Sequence, residues 1–152
     1  MNLDGERRGW HFSGMTKTIK RDFYLDRLIR AKGDGFVKIV TGLRRCGKSF
    51  LLFNLFKSHL LKEGVARENI VEVALDRKKD ARLRNPDAMY AFLSAKTAKR
   101  RGRVYVFLDE IQECKRPAPG PRETAEQKAE REQEFYDILN EFREKRNIDL
   151  YA

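Results

Sequence analysis

Cysteine is scarce in this sequence, and no long apolar run occurs. The 152 residues include two cysteines, Cys46 and Cys114, whose spacing is not that of paired metal ligands. No run approaches the ~18 apolar residues of a membrane-spanning helix, and residues 1–18 lack the apolar stretch of a secretory signal. These absences argue against a structural zinc site, a membrane span and secretion. They predict a cytoplasmic protein in a reducing compartment.

Acidic residues are outnumbered by basic ones. The chain has 33 lysines and arginines against 23 aspartates and glutamates, which gives a formal net charge of +10. Such a balance favours anionic partners, either phosphates or nucleic acid. Because lysine and arginine are spread over the whole length, a solvated basic surface explains the charge equally well. Composition alone therefore does not choose a partner.

Apolar periodicity divides the chain into alternating helices and strands. Compact β-prone runs predict four strands, at 36–41, 70–75, 104–108 and 148–152. Helical spacing predicts helices at 21–32, from Ser49 to Gly64, from Asn85 to Arg101, and from Glu123 through Phe142. The alternation predicts an α/β fold with a parallel sheet. Residues 1–18 are predicted to be a disordered extension, 19–152 one domain, and the proline-rich stretch 114–127 a flexible loop within it.

The third predicted helix carries end signals. Asn85 is a good N-cap residue, and Pro86 suits the first helical position. A basic cluster is expected to close this helix against the negative end of its dipole, namely Lys96, Lys99, Arg100 and Arg101. Gly102 is then expected to turn the chain into the next strand.

The segment between the first predicted strand and its helix has the pattern of a P-loop. Its eight residues are Gly42, Leu43, Arg44, Arg45, Cys46, Gly47, Lys48 and Ser49. The glycines let successive backbone N–H groups point at phosphate oxygens, and the helix N-terminus adds its positive end. Lys48 is placed to reach the β- and γ-phosphates, and the Ser49 hydroxyl to bind Mg²⁺. The pattern predicts binding of a nucleoside triphosphate with Mg²⁺.

A pair of acidic residues follows the apolar run at 104–108. P-loop enzymes need a carboxylate at the end of a neighbouring strand to hold the Mg²⁺ shell, and Asp109 suits that role. Glu110 would be the base that polarises water for attack on the γ-phosphate. Lys48 and Glu110 are therefore the candidate catalytic residues, and Ser49 and Asp109 the candidate metal ligands. The alternative is an acidic strand end that only faces solvent.

The P-loop segment and the segment from Val106 to Gln112 resemble a prokaryotic family of AAA-domain P-loop ATPases. The resemblance implies a P-loop NTPase-type three-layer fold, and Mg²⁺-dependent ATP hydrolysis that drives a conformational change. It also implies a possible homo-oligomer and an uncharacterised C-terminal domain in the full-length protein. In that family the fourth strand leads into a Thr-Gly-Ser segment with a sensor residue, whereas this sequence stops at Ala152. We therefore expect a fold that is incomplete at its C-terminus, and nucleotide binding that survives better than hydrolysis.

Other functions stay open at this point. ATP is favoured over GTP because no Asn-Lys-x-Asp sequence is present. Tyr24 could lie near the adenine, although core packing is the simpler interpretation. The alternatives to an ATPase are a P-loop kinase and a nucleic-acid-binding module switched by nucleotide.

Overall fold

Helices and strands alternate along the chain in the computed structural model, which describes residues 22–42, 46–116, 120, 122, 124–145 and 147–152. The strands are β1 (Ile70–Ala74), β2 (Val104–Asp109) and β3 (Ile148–Tyr151). Helix α1 is Asp22–Arg30, α3 is Pro86–Thr97 and α4 is Ala125–Glu144. Helix α2 has three consecutive segments, Lys48–Phe50, Leu51–Phe56 and Lys57–Lys62. Short 3₁₀ turns lie at Arg67–Asn69, Lys78–Arg84 and Ile111–Glu113. The predicted extension 1–18 lies outside the described residues.

The three strands form a parallel sheet in the order β1-β2-β3. The predicted strand at 36–41 is largely wrong, because this segment makes one isolated parallel bridge, from Lys38 to Tyr151 of β3. Its backbone bonds to β3 and the following residue are Lys38 N to Leu150 O and Ala152 N to Lys38 O, both 2.9 Å, and Val40 N to Ala152 O at 2.6 Å. Phe36 and Ile39 in this segment are exposed, whereas Val37 and Val40 are partly buried against the two hydrophobic clusters. The segment nevertheless continues the sheet beyond β3, and we name 36–41 the P-loop approach segment.

Side chains alternate between the two faces of the sheet, as strand geometry requires. One face, with Val71, Val106 and Leu150, packs against α3 and α4. The opposite face, with Ile70, Phe107 and Tyr151, packs against α1 and α2. Every residue of β2 is buried, which confirms the prediction of a strand covered on both faces. The result is the predicted α/β fold with helices on both sides of a parallel sheet.

The signals at the start of α3 are confirmed. Asn85 is the N-cap, its Oδ1 accepts a hydrogen bond from Ala88 N at 3.1 Å, and Pro86 is the first helical residue. The predicted end is wrong in part, because α3 ends at Thr97 and only Lys96 of the basic cluster lies in its last turn. Lys99 has a left-handed backbone, with φ of 57°. The C-cap of the helix is Ala98, whose backbone is extended with ψ of 141°, but Arg100 Nε still donates to the Lys96 carbonyl oxygen of the last turn at 3.1 Å.

The chain after the Ile111–Glu113 turn is fixed to the core. Cys114 is buried, and its Sγ lies 3.5 Å from the carbonyl oxygen of Leu83. Burial, helped by the charge of Glu134, raises the pKa of the Cys114 thiol to about 12. Arg116 then binds Glu134 and Asp87 at 2.9 Å, which joins this segment to α4 and α3.

No helix in the described part of the chain is both long enough and apolar enough to cross a membrane.

Candidate functional site

The described residues of the P-loop, Gly42 and 46–49, lie at the end of the approach segment and at the start of α2. Gly47 has a left-handed backbone, with φ of 87°, and is the N-cap of α2. A Cβ at Gly42 would lie 2.8 Å from the Sγ of Cys46, so a larger residue at this position would require the Cys46 side chain to shift. Lys48 Nζ donates a hydrogen bond to the carbonyl oxygen of Gly42 at 3.1 Å. The predicted loop residues Leu43, Arg44 and Arg45 lie outside the described residues.

Ser49 and Asp109 meet across the site. The Ser49 hydroxyl donates a hydrogen bond to Asp109 Oδ2, and Asp109 is buried at the carboxyl end of β2. The sequence predicted that the strand carrying Asp109 neighbours the P-loop strand, and this is wrong for the sheet order. Strand β3 lies between β2 and the approach segment. The contact is made through α2, whose first turn brings Ser49 to the carboxylate.

Glu110 has an unusual backbone conformation. Its φ of 56° and ψ of 45° are left-handed, which is uncommon for a residue other than glycine. The backbone N–H of Glu110 donates to Asp109 Oδ1 at 3.1 Å. The Glu110 carboxylate accepts a hydrogen bond from the side-chain amide of Gln112. Backbone strain of this kind concentrates at functional sites.

These groups surround one open cavity. Its volume is about 460 Å³, within the range typical of small-molecule sites. The lining residues are Ile39, Val40, Gly42, Lys48, Asp109, Glu110, Ile111, Gln112, Glu113 and Ala152. Of the candidate residues predicted from sequence, Gly42, Lys48, Asp109 and Glu110 line the cavity, and Ser49 contacts one of them. The turn Ile111–Glu113 was not predicted as part of the site, although Ile111 and Gln112 belong to the motif that carries the family resemblance.

A second, more apolar cavity adjoins the P-loop. It has a volume of about 240 Å³, and its walls are Tyr24, Val40, Thr41, Gly42, Cys46, Lys48 and Leu51. Tyr24 is 56% exposed, so the interpretation that it packs in the core is wrong. The ring of Tyr24 instead borders open space next to the phosphate loop.

The site combines a glycine-containing loop, which joins a sheet segment to a helix, with a buried carboxylate at the end of a strand. The serine of the loop donates a hydrogen bond to that carboxylate. This combination defines a P-loop nucleotide-binding domain. The chain matches the family model described as "AAA domain" over residues 34–151 and belongs to that family. The predicted resemblance is thereby confirmed, and membership assigns nucleotide binding, with ATP as the ligand.

A comparison with curated proteins found a relative that is described without an activity. An uncharacterized protein of Haemophilus influenzae is 31% identical to this chain over 94 residues. The match covers 62% of this chain and 23% of that protein, so the chain spans less than a quarter of the relative's length. No solved structure matches the chain.

Proposed function

We propose that this domain binds ATP together with Mg²⁺ and hydrolyses the γ-phosphate bond, and that hydrolysis drives a conformational change in the whole protein. The contact between Ser49 and Asp109 is the observation that carries the proposal. It joins the helix of the phosphate loop to the strand-end carboxylate, next to Glu110 and at the edge of one cavity. A solvent-facing acidic strand end would not bring these three groups together.

The oxygen atoms of Ser49 and Asp109 suit Mg²⁺. Mg²⁺ prefers oxygen ligands and is usually held by one or two protein groups, with waters and substrate phosphates completing its shell. A hydroxyl and a carboxylate in contact supply that number, and Asp109 is 6% exposed at the wall of the cavity, where a cation would pair with its carboxylate. When bound, the ion would neutralise negative charge on the β- and γ-phosphate oxygens.

Lys48 and Glu110 have distinct roles in the proposal. Lys48 Nζ, now on the Gly42 carbonyl oxygen, would move its hydrogen bonds to the β- and γ-phosphates. Glu110 would accept a hydrogen bond from a water molecule and orient it toward the γ-phosphate. The backbone N–H groups at the start of α2 would hold the phosphate chain.

Substitution of Lys48 by alanine tests nucleotide binding. We expect Lys48→Ala to weaken ATP binding about 10- to 100-fold, because one charge-assisted hydrogen bond contributes about 1.5–3 kcal/mol. Titration with a fluorescent ATP analogue, with and without Mg²⁺, measures the affinity. Lys62→Ala, at the far end of the same helix, is the matched control and should bind like the unsubstituted protein. Equal affinity of the Lys48 and Lys62 variants would contradict the assigned phosphate contact.

The apolar cavity beside the P-loop suits the nucleotide base. A triphosphate bound at Gly42 and Lys48 would extend its nucleoside toward Tyr24, Val40 or Leu51, because all of these line the same cavity. Tyr24 offers an exposed aromatic face, and stacking of a base on such a face contributes about 1–3 kcal/mol.

Loss of the Tyr24 ring should separate base binding from phosphate binding. We expect Tyr24→Ala to weaken ATP binding about tenfold, since roughly 1.4 kcal/mol corresponds to that factor. Competition by inorganic triphosphate, which has no base, should be unchanged. Phe36→Ala is the control, because Phe36 is an exposed aromatic outside this cavity. A parallel loss of triphosphate affinity would show that Tyr24 only supports the loop.

The P-loop kinase and the nucleic-acid-binding module remain predictions from sequence, as do a homo-oligomer and a cytoplasmic location. Acceptor-dependent release of ADP would favour the kinase.

A further inference from the structure

We infer that Gln112 is a positioning residue that holds the carboxylate of Glu110 for its work on the attacking water. The inference rests on the proposed function and assigns a role to a residue of the turn after β2. It starts from the hydrogen bond that the Gln112 side-chain amide donates to Glu110 Oε2.

Glu110 is held at two points. Its backbone N–H donates to Asp109 Oδ1 at 3.1 Å, and its backbone is left-handed. Its carboxylate is bound by Gln112. Without the second contact, a glutamate side chain with three rotatable bonds would sample many rotamers in an open cavity. The contact restricts the carboxylate to one side of the site.

The turn that carries Gln112 is itself rigidly attached. Glu113 N donates to Glu110 O at 3.0 Å, and Cys114 N donates to Ile111 O at 2.9 Å. Directly after the turn, Cys114 is buried and Lys115 N donates to Arg84 O at 2.9 Å. Gln112 therefore projects from a segment that is anchored to the core, which is what a positioning group requires.

The chemistry of an amide suits this role. A glutamine amide donates hydrogen bonds but does not titrate, so it cannot compete with Glu110 for a proton from water. It engages one carboxylate oxygen and leaves Oε1 for the water. A lysine in the same place would add a charge, and an aliphatic residue would leave the carboxylate unrestrained.

The test removes the amide donor in two ways. Gln112→Ala deletes the side chain, and Gln112→Glu keeps its size but replaces the donor with a like charge. Both variants should lower kcat about tenfold, since loss of orientation alone reaches larger factors in enzymes. The affinity for ATP should stay unchanged in Gln112→Ala. Gln133→Ala is the matched control, because it removes a similar amide–carboxylate bond, from Gln133 to Asp137, on distant α4. Its kcat should equal that of the unsubstituted protein.

Combination with Glu110→Gln distinguishes positioning from a general structural role. If Gln112 acts through Glu110, then Gln112→Ala should lower kcat no further when Glu110 is already glutamine. Additive losses in the double variant, or full activity of Gln112→Ala, would overturn the inference. If Glu110→Gln itself leaves turnover unchanged, the proposed function fails instead.

A structure provides a readout that does not depend on turnover. In crystals with Mg²⁺ and a non-hydrolysable ATP analogue, the Gln112 amide should lie within hydrogen-bond distance of the Glu110 carboxylate. A Glu110 carboxylate directed away from Gln112 in that complex would overturn the inference even if both residues proved important for activity.

Discussion

Replacement of Glu110 by glutamine is expected to reduce ATP hydrolysis by about 10²- to 10⁴-fold, the usual contribution of a general base. Glutamine keeps the size of the side chain but cannot accept a proton from water. Because Lys48, Ser49 and Asp109 are untouched, ATP should bind with unchanged affinity and accumulate uncleaved. The variant should therefore separate binding from hydrolysis within one site.

Phosphate release and ATP binding should be measured on the same preparations of the Glu110→Gln protein. Glu130→Gln, on the exposed side of α4, controls for the loss of one negative charge. Loss of ATP binding in the Glu110 variant would show that this residue supports the architecture of the site. Undiminished phosphate release would remove Glu110 as the base and favour a solvent-facing role for it.

Substitution of Asp149 by alanine is expected to destabilise the fold by about 3 kcal/mol, the lower end for breaking a buried ion pair. Asp149 in β3 is 2% exposed and binds Lys38 Nζ, whose side chain is 7% exposed. Asp149 Oδ2 also accepts hydrogen bonds from Gly33 N at 2.9 Å and from the Tyr151 hydroxyl at 3.0 Å. Burial, together with the Asp149 charge, raises the pKa of Tyr151, so its hydroxyl stays protonated and donates. Alanine would leave three donors without this acceptor.

Urea unfolding of matched variants measures this cost. Lys38 keeps a second partner, Asp34 at 2.6 Å, but Asp34 is 40% exposed and solvent screens the pair. Asp34→Asn should therefore cost less than about 1 kcal/mol. The double variant Lys38→Met, Asp149→Leu should recover part of the loss, because apolar side chains avoid an unpaired buried charge. If Asp149→Ala and Asp34→Asn unfold at the same urea concentration, the buried pair is not a major source of stability.

Local signals in the sequence predicted much of the fold. The apolar run 104–108 is β2, and its burial on both faces follows from its composition. Asn85 and Pro86 start α3 because capping depends on residues close in sequence. The same holds for the glycines of the P-loop, since Gly47 has the left-handed backbone that a tight turn into a helix requires.

Features that depend on distant residues were not predictable in this way. The order of the strands places β3 between the approach segment and β2, and no local pattern encodes that order. Lys38 and Asp149 are 111 positions apart, so their pairing follows only from the folded sheet. The left-handed backbone of Glu110 is equally hidden, because glutamate has no preference for that conformation.

The approach segment was predicted as a full strand for an identifiable reason. Its composition, with Val37, Ile39 and Val40, is typical of strands. A regular strand also needs a continuous series of backbone bonds, and here those bonds are made by Lys38 and Val40, while Phe36 and Ile39 face solvent. The composition of the segment correctly indicated a preference for extended backbone. The surrounding structure determined how many of its residues form regular strand pairing.

The middle of α2 is π-helical, and this segment separates the direction that the P-loop end of the helix faces from the direction that its buried end faces. In the segment Leu51–Phe56 the turn is widened, and Lys57 N donates to Leu52 O, five residues back. A π-turn accommodates one more residue than an α-turn and shifts the helix face that follows. The turn holding Lys48 and Ser49 can thus face the phosphates while Phe56 and Leu60 face the sheet. Removal of a single residue here would rotate the P-loop end of the helix relative to its buried end.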